Sequence, residues 1–478
     1  MKSILITFML ILTIYAFSQD NTSDNKFTKR KKSAIIDIDY VPPTKNLKKP
    51  SVLFDLGGNI SFKSRILLKS DGTNTYFKTT SSSIETIPID RWFVNVSGGF
   101  WGRITFAGEN FFHFNLLLLL NLKNATVIPL FNVSEFYLSC KYPLGKIIIG
   151  RTTYNLKAST VFSGALDGIE LNVNIPFLNF KTFVGYTGAL GIFNPYFNPY
   201  QVTEYERSFV NQTNLANSLL VLQFNGVQSQ RIVFATDFDI YLFAQHFNPY
   251  FLMQYDISAI AGNSGHAINT FHLGANFEGR IVENFYYKVN LAGLFGTNQK
   301  ISTNQTKAIV GCALETQLRY TIVSSFNSTF LLNYSLGTGN DDNTDFFTDT
   351  HGFSKESINK FYYYGKFDGG FVLNPVLSNL QILSFKYIGT PNFKNPNFKF
   401  SFYAAFYQSF KIYPNGTISD KDANLNSSIV GSEIDAGILF NFGRNVTLDF
   451  DYGIFIPETA YSITTPKMRM GANLGINF

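Results

Sequence analysis

The last eleven residues of the chain constrain its fold more than any other segment. Two sets of side chains alternate along it, one apolar and one mostly polar or small: Met468, Met470, Ala472, Leu474, Ile476 and Phe478 against Arg469, Gly471, Asn473, Gly475 and Asn477. Successive side chains of a β-strand point to opposite faces. The pattern therefore predicts a membrane-spanning strand with acyl chains on one side and water on the other.

The N-terminus predicts export. Lys2 precedes an apolar run from Ile4 to Phe17, and Ala16-Phe17-Ser18 is a small-x-small cleavage site. We expect a signal peptide over 1–18 and a basic periplasmic segment over 19–50. That segment holds eight basic and four acidic residues, which leaves the rest of the mature chain near neutral. A short basic run alone gives no support for binding nucleic acid.

Composition narrows the class of protein. Only 15% of the residues are charged and 17% are aromatic, yet the mean hydropathy is just +0.03. Beyond the leader no apolar run approaches the roughly 20 residues that a transmembrane helix needs. Alternating strands hide apolar surface in lipid without such runs, and aromatic residues favour the two membrane interfaces. The sequence therefore predicts an all-β protein, a single transmembrane antiparallel β-barrel over 51–478, in the cell outer membrane with lipid as its surroundings.

Turn spacing predicts the number of strands. Short connections are expected at 108–110, 143–145, 176–178, 245–249, 282–284, 323–326, 392–396 and 443–444. Long connections alternate with them at 67–88, 123–132, 154–164, 188–228, 261–266, 297–305, 339–376, 413–428 and 457–463. Bacterial barrels have an even number of strands. Phe361–Leu373 is therefore assigned to an external loop rather than to a strand, which predicts about 18 strands.

A barrel of this size encloses more space than its own side chains fill, so the inner face is expected to be wet. Alternation predicts a pore wall of mixed charge: Arg65, Arg91, Arg103, Arg231, Arg280, Lys288, Arg319, Lys399, Lys411, Glu433, Asp435, Asp449, Asp451 and Arg469. Two interpretations remain open at this point. The charges form structural ion pairs across strands, or they form a ring that selects among solutes.

Two segments resemble a known family. Gly431-Ser432-Glu433-Ile434-Asp435, followed by Tyr452-Gly453-Ile454-Phe455-Ile456-Pro457, is similar to the closing hairpin of alginate-export-type outer-membrane barrels. Gly150-Arg151 with Leu166-Asp167-Gly168-Ile169 resembles an earlier strand pair of that family. The resemblance implies eighteen strands and a passive conduit in which inward basic side chains guide an anionic saccharide. A final strand ending on Phe478 also resembles outer-membrane barrels, and this resemblance implies recognition by the barrel-assembly machinery.

These observations predict a porin-like channel for passive diffusion or export of small polar solutes, including anionic saccharides. An alternative from another class is a surface-binding protein or adhesin, in which an occluded barrel displays loops 188–228 and 339–376. The first of these loops repeats Phe-Asn-Pro-Tyr at 193–196 and 197–200, and the motif recurs at 247–250. Its rings are candidates for stacking on sugars or on one another: Phe193, Tyr196, Phe197 and Tyr200.

The chain offers little support for catalysis, a metal or a cofactor. Its five histidines show no ligand spacing, and no G-x-S-x-G motif occurs. The acidic stretch from Asp341 to Asp345 has Phe346 where a calcium loop would place glycine, so we interpret it as a solvated loop. Cys140 and Cys312 both fall in the lipid-facing register and are interpreted as small apolar residues without a disulfide.

Overall fold

The computed structural model describes residues 52–69, 92–106, 109–123, 126–158, 160–187, 231–242, 244–257, 266–300, 305–341, 360–365, 367–393, 395, 397–420 and 422–478. The predicted leader and basic segment, and the loop aromatics Phe193, Tyr196, Phe197 and Tyr200, lie outside these ranges. Arg91 also lies outside them, and of Arg65 only the backbone is described.

Within the described residues the chain forms eighteen strands. They are β1 (Val52–Lys69), β2 (Trp92–Phe106), β3 (Asn110–Lys123), β4 (Thr126–Tyr142), β5 (Gly145–Asn155), β6 (Ser163–Ile175), β7 (Leu178–Tyr186), β8 (Arg231–Leu242), β9 (Gln245–Asp256), β10 (His266–Val282), β11 (Phe285–Lys300), β12 (Gln305–Ile322), β13 (Phe326–Gly337), β14 (Leu380–Pro391), β15 (Phe398–Lys411), β16 (Ile429–Phe442), β17 (Val446–Pro457) and β18 (Lys467–Asn477).

Each strand pairs antiparallel with its neighbours in sequence, and β1 pairs with β18, so the sheet closes on itself. The seam extends one residue past β18, where Gly58 and Phe478 exchange both backbone hydrogen bonds at 2.9 and 3.0 Å. A Cβ on Gly58 would lie 2.7 Å from the Phe478 ring. The predicted single barrel of eighteen strands is confirmed, and the C-terminal residue is part of its closure.

Large apolar side chains cover the outer face. On β16, Ile434 is 54% exposed between Glu433 and Asp435, which are each 2% exposed. Phe136, Phe271 and Leu332 are likewise exposed on β4, β10 and β13. Exposed apolar side chains that alternate with buried polar ones indicate a lipid-facing surface. Cys140 and Cys312 are both free cysteines. No helix long and apolar enough to cross a membrane occurs among the residues that the structure describes.

Two predicted connections are wrong. Residues 245–249 belong to β9, which begins at Gln245, so Phe247–Tyr250 is strand rather than loop. Pro249 is tolerated there because the β8–β9 ladder skips this point. The Asn248 side chain instead donates hydrogen bonds to the Phe238 carbonyl at 2.7 Å and to Asp239 Oδ1 at 3.0 Å. Proline within a sheet needs such a break, since it has no N–H to donate.

The second wrong connection is 123–132. β3 ends at Lys123, where the predicted connection starts, but Lys123 pairs with Thr126, so β4 begins well before its predicted position. In the sequence, residues 117–122 and 127–130 are almost continuously apolar, and such runs lack the alternation that marks a strand with one polar face.

Candidate pore constriction

Two connections fold into the barrel. We call residues 156–162, between β5 and β6, the short inner loop, and residues 360–379, between β13 and β14, the long inner loop; residues 159 and 366 are not described. The long inner loop contacts β9 and β10 at one end and β16 and β18 at the other. Strands so far apart in a closed sheet face each other across its interior, so this loop crosses the lumen.

The two inner loops pair with each other. Phe162 and Tyr364 form a parallel bridge, the Tyr364 N–H donates to the Val161 carbonyl at 2.8 Å, and the Ser163 N–H donates to the Tyr364 carbonyl at 3.3 Å. Leu156, Val161, Phe162 and the 361–364 side chains are all at most 5% exposed and share one apolar cluster. The loops thus form a single packed layer inside the barrel.

The short inner loop reaches the wall beyond the strands that carry it. Thr160 Oγ1 donates to Glu315 Oε2 on β12 at 2.9 Å, and Glu315 Oε1 accepts from Asn290 on β11 at 2.9 Å. β12 is six strands away from β6 along the sheet. The contact therefore holds the loop in place across the lumen.

One end of the long inner loop is held by neutral groups, which we call the neutral anchor. The Tyr364 hydroxyl lies 2.8 Å from Thr270 Oγ1 and donates to Gln254 Oε1 at 2.5 Å. His272 Nε2 lies 2.8 Å from the Tyr362 carbonyl and is fully buried. Burial also raises the pKa of the Tyr363 hydroxyl, which stays protonated and accepts a hydrogen bond from the Leu377 N–H.

The other end is held by ionisable side chains, two acidic and one basic, which we call the charged anchor. The N–H of Phe371 donates to Asp435 Oδ2 at 2.9 Å, and those of Val372 and Leu373 donate to the two Glu433 oxygens at 2.5 and 2.9 Å. Arg469 Nη1 donates to the Phe371 carbonyl at 2.5 Å. Two carboxylates and a guanidinium thus hold three consecutive peptide units of the loop.

Gly370 makes the charged anchor possible. Its φ is +122°, a backbone conformation that other residues rarely adopt, and a Cβ there would lie 2.8 Å from the Glu433 carboxylate. Gly453 on β17 leaves room for the second acidic side chain, since a Cβ there would lie 2.4 Å from Asp435 Oδ1. The motif from Gly431 to Asp435 supplies the two acidic side chains, and Gly453 leaves space beside one of them. The loop can therefore lie close against the wall.

Several predicted pore residues make contacts that the structure describes. Arg231 pairs with Asp256 at 3.2 Å, with both side chains fully buried, and Lys411 donates to the carbonyls of Pro414 and Leu425. Arg103 and Arg319 lie over the rings of Phe111 and Tyr286, each at 4.5 Å. Asp449 accepts from Asn473 at 3.2 Å, and Asp451 accepts from Tyr403 at 2.8 Å. Arg280 and Lys399 are exposed, while Lys288 is half-buried.

Acidic and basic side chains lie close together along the wall and at the start of the short inner loop. Lys181 lies 4.0 Å from Glu170, and Lys157 lies at the same distance from Asp239. His246 lies 3.0 Å from Asp239 and 2.9 Å from Glu278. Whether these groups and the predicted set line a water-filled path stays a prediction.

Sequence reasoning missed the residues that hold the loops. Tyr364, His272 and Thr160 carry the neutral anchor and the short inner loop, yet none belongs to a recognised motif. The sequence offers one signal for the long inner loop, the aromatic run from Phe361 to Tyr364, which is too apolar for an external loop. Only the even number of strands argues against assigning this run to a strand. Among the residues that the structure describes, no group of three or more potential ligands could hold a metal ion.

No protein-family model matches the chain, and no curated protein matches it. Solved structures do. OccK11 (OpdR) of Pseudomonas aeruginosa is similar at 10% identity and a TM-score of 0.50, over 89% of this chain and 96% of that one. OccK5 (OpdH) of the same organism is similar at 11% identity and a TM-score of 0.50, over 89% and 98% of the two chains. At such identities the likeness shows the fold alone, that of the closed antiparallel β-barrel described above.

Proposed function

We propose that the protein is an outer-membrane channel for the passive diffusion of small polar solutes. The observation that carries this proposal is the inner layer formed by the short and long inner loops, which is held by polar groups on opposite parts of the wall. A barrel of eighteen strands leaves an interior wider than its side chains fill. Loops fixed across such an interior narrow it without adding a catalytic group, as in a size-selective filter.

The finer identity of the solute rests on charge. The resemblance to alginate-export barrels favours an anionic saccharide, and Arg103, Arg319 and Arg469 are basic groups in the predicted wall. However, Asp449 and Asp451 would repel a polyanion, although water and salt in the pore would weaken that effect. We therefore infer a solute that is small and polar, and anionic saccharides and export remain the less favoured version of the proposal.

The alternative, an adhesin that displays loops 188–228 and 339–376, fits the described residues less well. Residues 360–376 pack inside the barrel and are anchored there, so this part of the second loop is not displayed. The first loop lies outside the described residues. An inner layer that fills the lumen completely would nevertheless favour the adhesin, since its barrel needs no open path.

Single-channel recording separates the two functions. The refolded mature protein is inserted into a planar bilayer, and folding is verified by its heat-modifiable mobility on a gel. We expect stable open steps, with weak ion preference in a salt gradient because the wall is mixed in sign. Strong anion preference would favour the anionic-saccharide version. A folded barrel without conductance would contradict the channel and support the adhesin.

A further inference from the structure

The inner wall carries an aromatic patch away from the inner loops, on β2, β3 and β4. It consists of Trp101, Phe111, His113 and Tyr137, which alternate along these strands with the outward-facing Phe100, Leu118 and Phe136. His113 lies between the other rings, 6.2 Å from Trp101 and 5.2 Å from Tyr137 between centroids. Phe111 meets Tyr137 edge-on at 6.0 Å. The patch is thus continuous across three strands.

Trp101 lies flat against the wall. It pairs with Gly57 of β1, and a Cβ on Gly57 would lie 2.6 Å from its ring. One face of the indole therefore covers the glycine backbone, and the ring as a whole is only half-buried. An aromatic face held in this way is a rigid platform for an apolar face of a ligand.

Polar groups lie over and beside these rings. The Arg103 guanidinium lies 4.5 Å from the centre of the Phe111 ring, and His113 Nε2 lies 3.1 Å from Glu135 Oε2. His113 Nδ1 is buried and has no hydrogen-bond partner among the described residues. Binding sites for small polar ligands combine aromatic surface with a few fixed polar groups of this kind.

We propose that the aromatic patch is a saccharide-binding subsite that takes neutral hexose oligomers. A pyranose ring has an apolar C–H face, which fits Trp101, and a rim of hydroxyls, which fits Arg103, His113 and Glu135. The Glu135 carboxylate repels a uronate at the same place, whereas the Arg103 guanidinium is already held against the Phe111 ring. Trp101 lies toward the β2–β3 turn, whereas Glu433 lies toward the opposite end of its strand, so the subsite and the constriction act in series. The inference rests on the proposed channel only for its route of access.

Tryptophan fluorescence tests binding directly, because the chain has only two tryptophans. Trp92→Phe leaves Trp101 as the sole indole. We expect maltohexaose to change its emission with a saturable dependence on concentration, and tetragalacturonate to bind more weakly. Tighter binding of tetragalacturonate would overturn the neutral-sugar assignment.

Current blocking tests the role of the ring. Maltohexaose should interrupt the current through the native channel, and Trp101→Ala should shorten each block about tenfold. Gly57→Ala, which lifts the ring from the wall without removing it, should also shorten the blocks. Phe100→Ala is the matched control, since Phe100 precedes Trp101 and faces lipid. Blocks that persist unchanged in Trp101→Ala and Gly57→Ala would overturn the proposal.

The two failures are distinguishable. A conducting channel with neither blocks nor a fluorescence change overturns the subsite and leaves the proposed channel intact. A fluorescence change in a folded barrel that never conducts supports the subsite and contradicts the channel.

Discussion

The long inner loop is held at its two ends by different kinds of group, uncharged at one end and ionisable at the other. The neutral anchor joins buried side chains of the loop to uncharged groups on β9 and β10, and it lies in a large apolar cluster. The charged anchor joins backbone groups of the loop to Glu433, Asp435 and Arg469. Packing and side-chain identity therefore fix the first end, whereas the second depends on backbone geometry and on charge, so the two ends should respond to different perturbations.

Tyr364→Ala should have the largest effect on the constriction. It removes a side chain that is 1% exposed and is part of both the packing and the polar contacts of the neutral anchor. Truncation of a buried aromatic typically costs about 3–5 kcal/mol. Because the Tyr364 side chain also packs in one cluster with Val161 and Phe162 of the short inner loop, we expect both loops to loosen and the single-channel conductance to rise and become noisy.

Tyr364→Phe refines this test. It keeps the packing and removes the hydroxyl, which should cost about 1–3 kcal/mol because Gln254 and Thr270 are buried beside it. Hydrogen exchange of the peptides that cover 360–365 and 367–376 shows how far the effect spreads. Faster exchange confined to the first peptide would mean that the two anchors hold independently. Unchanged conductance in Tyr364→Ala would contradict the view that this end holds the constriction.

Glu433→Gln should have the next largest effect, and it should be local. The change removes a charge that accepts hydrogen bonds from Val372 and Leu373, and such bonds are worth about 1.5–3 kcal/mol. We expect the amides of 371–373 to exchange faster while peptide 360–365 stays protected. Asp449→Asn is the matched control, since it removes a carboxylate that accepts from Asn473. Equal effects of the two variants on loop exchange would contradict the charged anchor.

Gly370→Ala should loosen the same end by about 1–3 kcal/mol through the backbone. The methyl group would meet the Glu433 carboxylate and would also require a φ of +122° from alanine. We therefore expect the exchange pattern of Glu433→Gln without any change in charge or ion preference. Gly98→Ala is a suitable control because a Cβ there has no neighbour within 4 Å. An ion preference altered by Gly370→Ala would show that loop position, and not only the carboxylate charge, sets selectivity.

Alternation along the strands allowed the barrel to be predicted, because it reports local geometry: Ile434 faces outward between two buried carboxylates, as the pattern requires. It could not predict where the loops go. Nothing in Glu433-Ile434-Asp435 indicates that its partners are the amides of Phe371 to Leu373, since these are backbone groups and any sequence supplies them. The prediction of a turn at 245–249, which contains Pro249, was wrong for a related reason. Its strand depends on the Asn248 side chain replacing ladder bonds, a compensation that is visible only in three dimensions.

Thr160→Val should have the smallest effect, and it tests whether the short inner loop needs its distant contact. The change keeps the shape and removes one hydrogen bond to Glu315, whereas Glu433→Gln affects two. Glu315 still accepts from Asn290, so its charge keeps one partner. We expect a slight rise in the exchange of 156–162 and an almost unchanged conductance, since the pairing of Phe162 with Tyr364 remains. A conductance change as large as that of Tyr364→Ala would mean that the β12 contact, rather than the neutral anchor, fixes the inner layer.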